Sequence, residues 1–151
     1  MHTNNTLSAT KQIELAVIRM LKERIAIATA NSRRSVEAPE KLVDHVLDQY
    51  RLSLHFLSTG LPHREALHHS TDQNWPAFRK HVRLFQGIVA EVIEAGIRSS
   101  HFKAQDRVLA ADLFTARTKP IWDPAAVAAR LQGSEPYSPY EQARRAVNDL
   151  T

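Results

Sequence analysis

Apolar residues recur three and four positions apart along almost the whole chain, and a strict apolar–polar alternation appears nowhere. That period predicts helices throughout and no sheet. Residues 1–7 are polar and are expected to be disordered. Ser8 or Thr10 is placed to cap a first long helix reaching about Arg34. Ile13, Ala16, Val17, Met20, Leu21 and Ala28 line one of its faces, while Leu15, Ile18 and Ile25 make a second face apolar. A helix apolar on two sides is held between neighbours and does not lie on a surface.

"SVEAPEKL" breaks the pattern, and Pro39 suits the first turn of a second helix. Its stripe is Val43, Val46, Leu47, Tyr50, Leu54 and Leu57, and Gly60 ends it. A short polar third helix follows Pro62. Asn74 then caps a fourth, striped by Trp75, Phe78, Val82, Phe85, Val89, Val92 and Gly96. Asp106 caps a fifth, carrying Val108, Leu109, Ala111, Leu113, Phe114 and Ala116 before Pro120. A short helix after Pro124 stops at Gly133. The last begins near Pro139, with Val147 and Leu150 still in register where the sequence stops, as though another turn or a second subunit supported it. The expected fold is an all-α bundle of about six to seven helices.

The chain has 151 residues, enough for one domain, expected over 8–151, with a real core. Apolar residues make up 43% and charged residues 24%, a composition that excludes intrinsic disorder. No apolar run is long enough to span a bilayer and no secretory leader is visible, so no membrane role is expected. Cysteine is absent, which excludes disulfides, thiolate metal sites and cysteine nucleophiles and points to the cytoplasm. The net charge of +4 raises the prospect of an acidic partner such as DNA. The basic residues are scattered, however, as on an ordinary solvated surface.

"EVIEAGIRSSHF" followed by "KAQDRVLAADLF" resembles the C-terminal ligand-binding domain of TetR-type transcriptional regulators. In that family a helix commonly ends in I-x-x-G-x-x-x-G-x-F, with an aspartate and a paired-alanine helix after it. Ile93, Gly96, Phe102, Asp106, Ala110 and Ala111 occupy those places, and Ser100 stands where a second glycine is usual. "NWPAFRKHVRLF" resembles one branch of the family, in which a tryptophan opens the helix and a histidine follows six residues on. "IWDP" resembles that branch's aromatic-x-x-Pro turn, with Asp123 where histidine is often found, and "EQARRAVNDL" resembles its final helix. The likeness runs from about Lys11 to Leu150. The residues agree with it: Gly96 permits close packing or an easy stop, Phe102 can fold back as an apolar plug, and Asp106 suits a helix start.

The resemblance implies a regulator part that senses an effector and dimerises, with DNA read by a helix-turn-helix that this sequence lacks. It implies a small apolar or amphipathic ligand, held between the first long helix and those that follow. Met20, Tyr50, Leu54, Trp75, Phe78, His81, Phe85, Phe114 and Trp122 are the candidate lining residues, with plain core packing as the competing explanation for each. It also implies a homodimer through the fifth and last helices, where Leu109, Leu113, Ala116, Ala143, Val147 and Leu150 are the candidate interface.

Neither a cofactor nor catalysis is expected. No G-x-S-x-G elbow or glycine-rich phosphate loop occurs, and Glu65, His68, His69 and Asp72 lack the H-E-x-x-H pattern of a zinc helix. The alternative reading is a helical interaction module with a filled core and no pocket.

Overall fold

A computed structural model of the chain describes residues 9–59 and 76–151. Among the described residues there is no strand, and six helices follow one another: α1 (Ala9–Ser32), α2 (Ala38–Ser58), α3 (Pro76–Arg98), α4 (Arg107–Trp122), α5 (Pro124–Leu131) and α6 (Pro139–Asn148). The polar N-terminus, the caps expected at Ser8 and Asn74, the short helix from Pro62 with Glu65, His68, His69 and Asp72, and Trp75 all lie outside the described residues.

The bundle is arranged around α2, which packs against each of the other helices. Leu42, Val43, Val46, Leu52 and Phe56 are buried along it, together with the polar His45, Gln49 and Ser53. α1 and α3 lean on each other and on α2; α4 pairs with α3 and carries α6 on its other side. The main core joins α2, α3, α4 and α6 through Val46, Ile93, Phe114 and Val147. A second cluster fastens the N-terminal half of α1, through Ile13, Val17, Met20 and Leu21, to Phe56.

Two expectations are corrected. α4 does not stop before Pro120 but runs through it to Trp122. Proline removes one helical N–H, yet the last carbonyls find donors elsewhere: Arg130 donates to those of Pro120 and Ile121, and Ser53 Oγ donates to that of Trp122. The second correction concerns the last helix. Ala143 (0% exposed), Val147 (1%) and Leu150 (6%) are buried in the core of their own chain and leave no apolar surface for a second copy. α6 has a single apolar stripe, and α2 and α4 occupy it.

The elbow between α3 and α4 follows from its residues one by one. The His101 N–H donates to the Gly96 carbonyl (2.9 Å) and the Ser100 N–H to that of Ile97 (3.1 Å), the paired bonds of a Schellman stop. Such a stop needs a left-handed residue, and Ser100 supplies it with φ of 64°. The helix continues past Gly96 to Arg98, so that glycine serves packing, not termination. A Cβ there would lie 2.2 Å from the Phe102 ring and 3.0 Å from the Ala38 Cβ. Phe102, buried as the expected plug, thereby locks the elbow against the start of α2. Asp106 then caps α4 by accepting from the N–H groups of Val108 (2.9 Å) and Leu109 (3.0 Å).

These two positions predict opposite responses. Gly96→Ala should lower the unfolding free energy by about 1–3 kcal/mol, because a buried ring must move. Ser100→Gly should raise it by about 1 kcal/mol by relieving the left-handed backbone. Urea denaturation of both variants checks the pair; shifts of the same sign would contradict this account of the elbow.

Candidate functional site

A cavity of about 580 Å³ opens between α1, α3 and α4, within the range of roughly 300–1,000 Å³ usual for small-molecule sites. Helical periodicity assembles its wall. α1 contributes Met20, Leu21 and Arg24; α3 contributes Phe78, His81, Val82 and Phe85; α4 contributes Asp112, Thr115, Ala116, Lys119 and Trp122, with Asp123 and Pro124 closing the α4–α5 corner. Arg79, Arg83, Asp112 and Ala116 are exposed and mark its mouth.

The deep wall is a chain of rings. Phe85 stands between His81 (centroids 5.8 Å apart) and Trp122 (5.4 Å), and His45 of α2 backs it at 4.8 Å. The Arg24 guanidinium lies over the Trp122 ring, 5.0 Å from its centroid.

Arg24 is 2% exposed and is the dominant electrostatic feature of the site. Nη1 donates to Gln49 Oε1 at 2.9 Å and Nη2 to Ser53 Oγ at 2.7 Å. Gln49 answers with an Nε2 donation to the Arg24 carbonyl at 3.1 Å. These partners are neutral, and among the described residues no carboxylate lies within ion-pair distance of Arg24. Burial lowers its pKa to about 10, with Asp123 opposing, so it stays charged at neutral pH.

The field of that cation reaches both nearby histidines. Burial, reinforced by Arg24, lowers the pKa of His45 to about 4. His81 falls to about 4 for the same two reasons, with a hydrogen bond to the Leu21 backbone opposing. Both imidazoles are therefore neutral at pH 7. His81 Nδ1, Thr115 Oγ1 and Trp122 Nε1, all on wall residues, are buried without a hydrogen-bond partner among the described residues. The wall thus combines an apolar, aromatic surface with one buried cation and unspent hydrogen-bonding capacity.

Of the candidate lining residues, Met20, Phe78, His81, Phe85 and Trp122 come together at this cavity. Tyr50 and Leu54 do not line it; both are half-buried on α2, which lies behind the wall. Phe114 is buried in the main core, because it points one hundred degrees of helix away from Thr115. Trp75 lies outside the described residues. Arg24, Thr115 and Lys119 were not anticipated. Arg24 had a signal in the sequence: it falls at the buried i+4 and i+7 positions from Met20 and Val17.

Of the candidate interface residues, Leu109 (57% exposed) and Leu113 (61%) project outward from α4, joined there by exposed Val108 and Ala116. Among the described residues no helix is long and apolar enough to cross a membrane. Nor does any group of three His, Cys, Asp or Glu side chains among them sit close enough to hold a metal ion.

The Schellman elbow, its aromatic plug and the aspartate-capped helix after it complete an all-α domain. The chain belongs to the tetracyclin repressor-like C-terminal domain family, whose sequence model matches residues 38–134. No curated protein and no solved structure is significantly similar to it.

The buried histidines make stability depend on pH. Their folded pKa values lie below the unfolded value of 6.5, so the unfolded chain binds protons that the native core refuses. Their contribution is complete above about pH 6.5 and is lost as pH falls toward about 4. For fully buried His45 the loss is on the order of 3 kcal/mol. Unfolding free energies measured from pH 7 to pH 4 should fall steeply, and His45→Phe should remove about half of the slope. A flat profile would contradict neutral burial.

Proposed function

We propose that the chain is the effector-sensing and dimerising part of a TetR-type transcriptional regulator. A small apolar or amphipathic molecule enters the cavity between α1, α3 and α4 and favours one setting of α1. In a regulator of this type the helix corresponding to α1 leads from the DNA-reading unit, so its setting fixes how two such units are spaced on DNA. The observation that carries this reading is the cavity itself, about 580 Å³, with α1 supplying Met20, Leu21 and Arg24 to its wall. A filled interior would have favoured an interaction module instead.

Dimerisation belongs to the same reading and uses the outward face of α4. Leu109 and Leu113, one helical turn apart with Val108 beside them, expose an apolar strip that self-pairing across a two-fold axis would cover. Ala116 continues the strip as a small residue that lets two helices approach.

Two measurements test the proposal. In a thermal-shift screen of hydrophobic compounds, a ligand present at about a hundred times its Kd should add about 2.7 kcal/mol of stability. Val82→Trp, which fills the cavity, should keep the helical signal and lose that response; a response that survives it would place binding elsewhere. Sedimentation equilibrium should give a dimer for the natural sequence and a monomer, with unchanged helix content, for Leu109→Glu combined with Leu113→Glu. A monomeric natural chain would remove α4 pairing from the reading.

A further inference from the structure

The geometry points to an organic carboxylate, a monoanionic acid with an apolar body, as the occupant of this cavity, its head group held beside Arg24. The inference rests on the sensing reading above and narrows its ligand class.

A guanidinium that is 2% exposed has given up most of its hydration, and its partners Gln49 and Ser53 supply neutral oxygens only. A core whose sole task was packing would place a hydrophobe here, because an unpaired buried charge is costly. The cost is reduced once an anion sits in the adjoining space, and that space is the cavity Arg24 lines. The remaining charges on the wall have the same sense: Arg79, Arg83 and Lys119 outnumber Asp112 and Asp123 even before Arg24 is included. The ligand would therefore meet a positive potential at the mouth and at the floor alike.

The neutral groups specify the head more closely. Trp122 Nε1 is a donor only, Thr115 Oγ1 can donate, and both are buried without partners among the described residues. Carboxylate oxygens accept from an N–H and an O–H at once while facing the guanidinium. His45 and His81 add no positive charge, since both are held neutral, so a single buried cation matches a single negative charge. A doubly charged phosphate would bring a second charge to the buried end of the cavity, where Arg24 is the one buried cation among the described lining residues. The body of the acid would lie along Met20, Phe78 and Val82 toward the mouth.

The test compares pairs differing only in the head group: decanoate with decanamide, and 2-naphthoate with 2-naphthamide, titrated calorimetrically into the whole chain at pH 7.5. The acids should bind about ten to a hundred times more tightly than their amides, the difference expected of a charge-assisted bond. Arg24→Met should erase that preference. Trp122→Phe, which keeps the ring and removes only the N–H, should shrink it and guards against an Arg24 variant that does not fold. Acids and amides binding equally would overturn the carboxylate assignment and leave the sensing reading intact. A preference that persists in folded Arg24→Met would overturn the role of Arg24. If neither acid nor amide binds, the sensing reading and this inference fall together.

Discussion

The bundle is organised by a buried positive charge. Arg24 of α1 is surrounded by α2 and α4: it donates to Gln49 and Ser53 of α2, while Ser53 donates onward to the carbonyl of Trp122 at the end of α4. Three helices are thus tied through one polar relay in the middle of an apolar core. Such a relay specifies register, because sliding any member by one residue strands a charge or a carbonyl in a medium that cannot solvate it. The carbonyls of Pro120, Ile121 and Trp122, left without partners where α4 ends, are taken by Arg130 of α5 and Ser53 of α2.

The same charge governs the local proton chemistry. His45 and His81 approach the aromatic wall from α2 and α3, and neither can ionise without facing both desolvation and Arg24. Held neutral, they act as flat polar rings that pack on Phe85 at 4.8 and 5.8 Å. The wall is consequently aromatic in shape and positive in potential, a combination neither feature gives alone.

The helices and the elbow were legible in the sequence because they rest on local rules. Asp106 before an apolar run is a cap by its chemistry, and Ser100, standing at the second glycine of the motif the chain resembles, is the left-handed residue of the stop. What covers each helical face is not local. Ala143 and Val147 sit on one clean stripe, and periodicity alone could not tell whether the facing surface belongs to α2 or to a second copy. Phe114 and Thr115 are adjacent in sequence yet serve the core and the cavity respectively. Arg24 is a different case. The apolar face of α1 runs through Met20 and Leu21 to Ala28 with Arg24 in the same register, and a polar residue in a buried register signals a partner. That partner was visible too: Gln49 and Ser53 interrupt the apolar stripe of α2 four residues apart, the spacing needed to meet one guanidinium.

Under the proposed reading, α4 couples the two activities by geometry. Thr115, Lys119 and Trp122 give one face to the cavity, Leu109 and Leu113 give another to solvent, and Ala116 stands at the boundary between them. The end of α4 at Trp122 is tied to α2 through Ser53 and to α5 through Arg130. A ligand that draws Trp122 toward Arg24 would therefore tilt the whole outward strip, and the α1 segment held by Arg24 would respond in the same step. Because Ala116 edges the cavity mouth, a second copy pairing through α4 would also narrow the entrance. Occupancy and pairing would then favour one another through contact at a single residue, and by linkage each would raise the affinity of the other by the same factor.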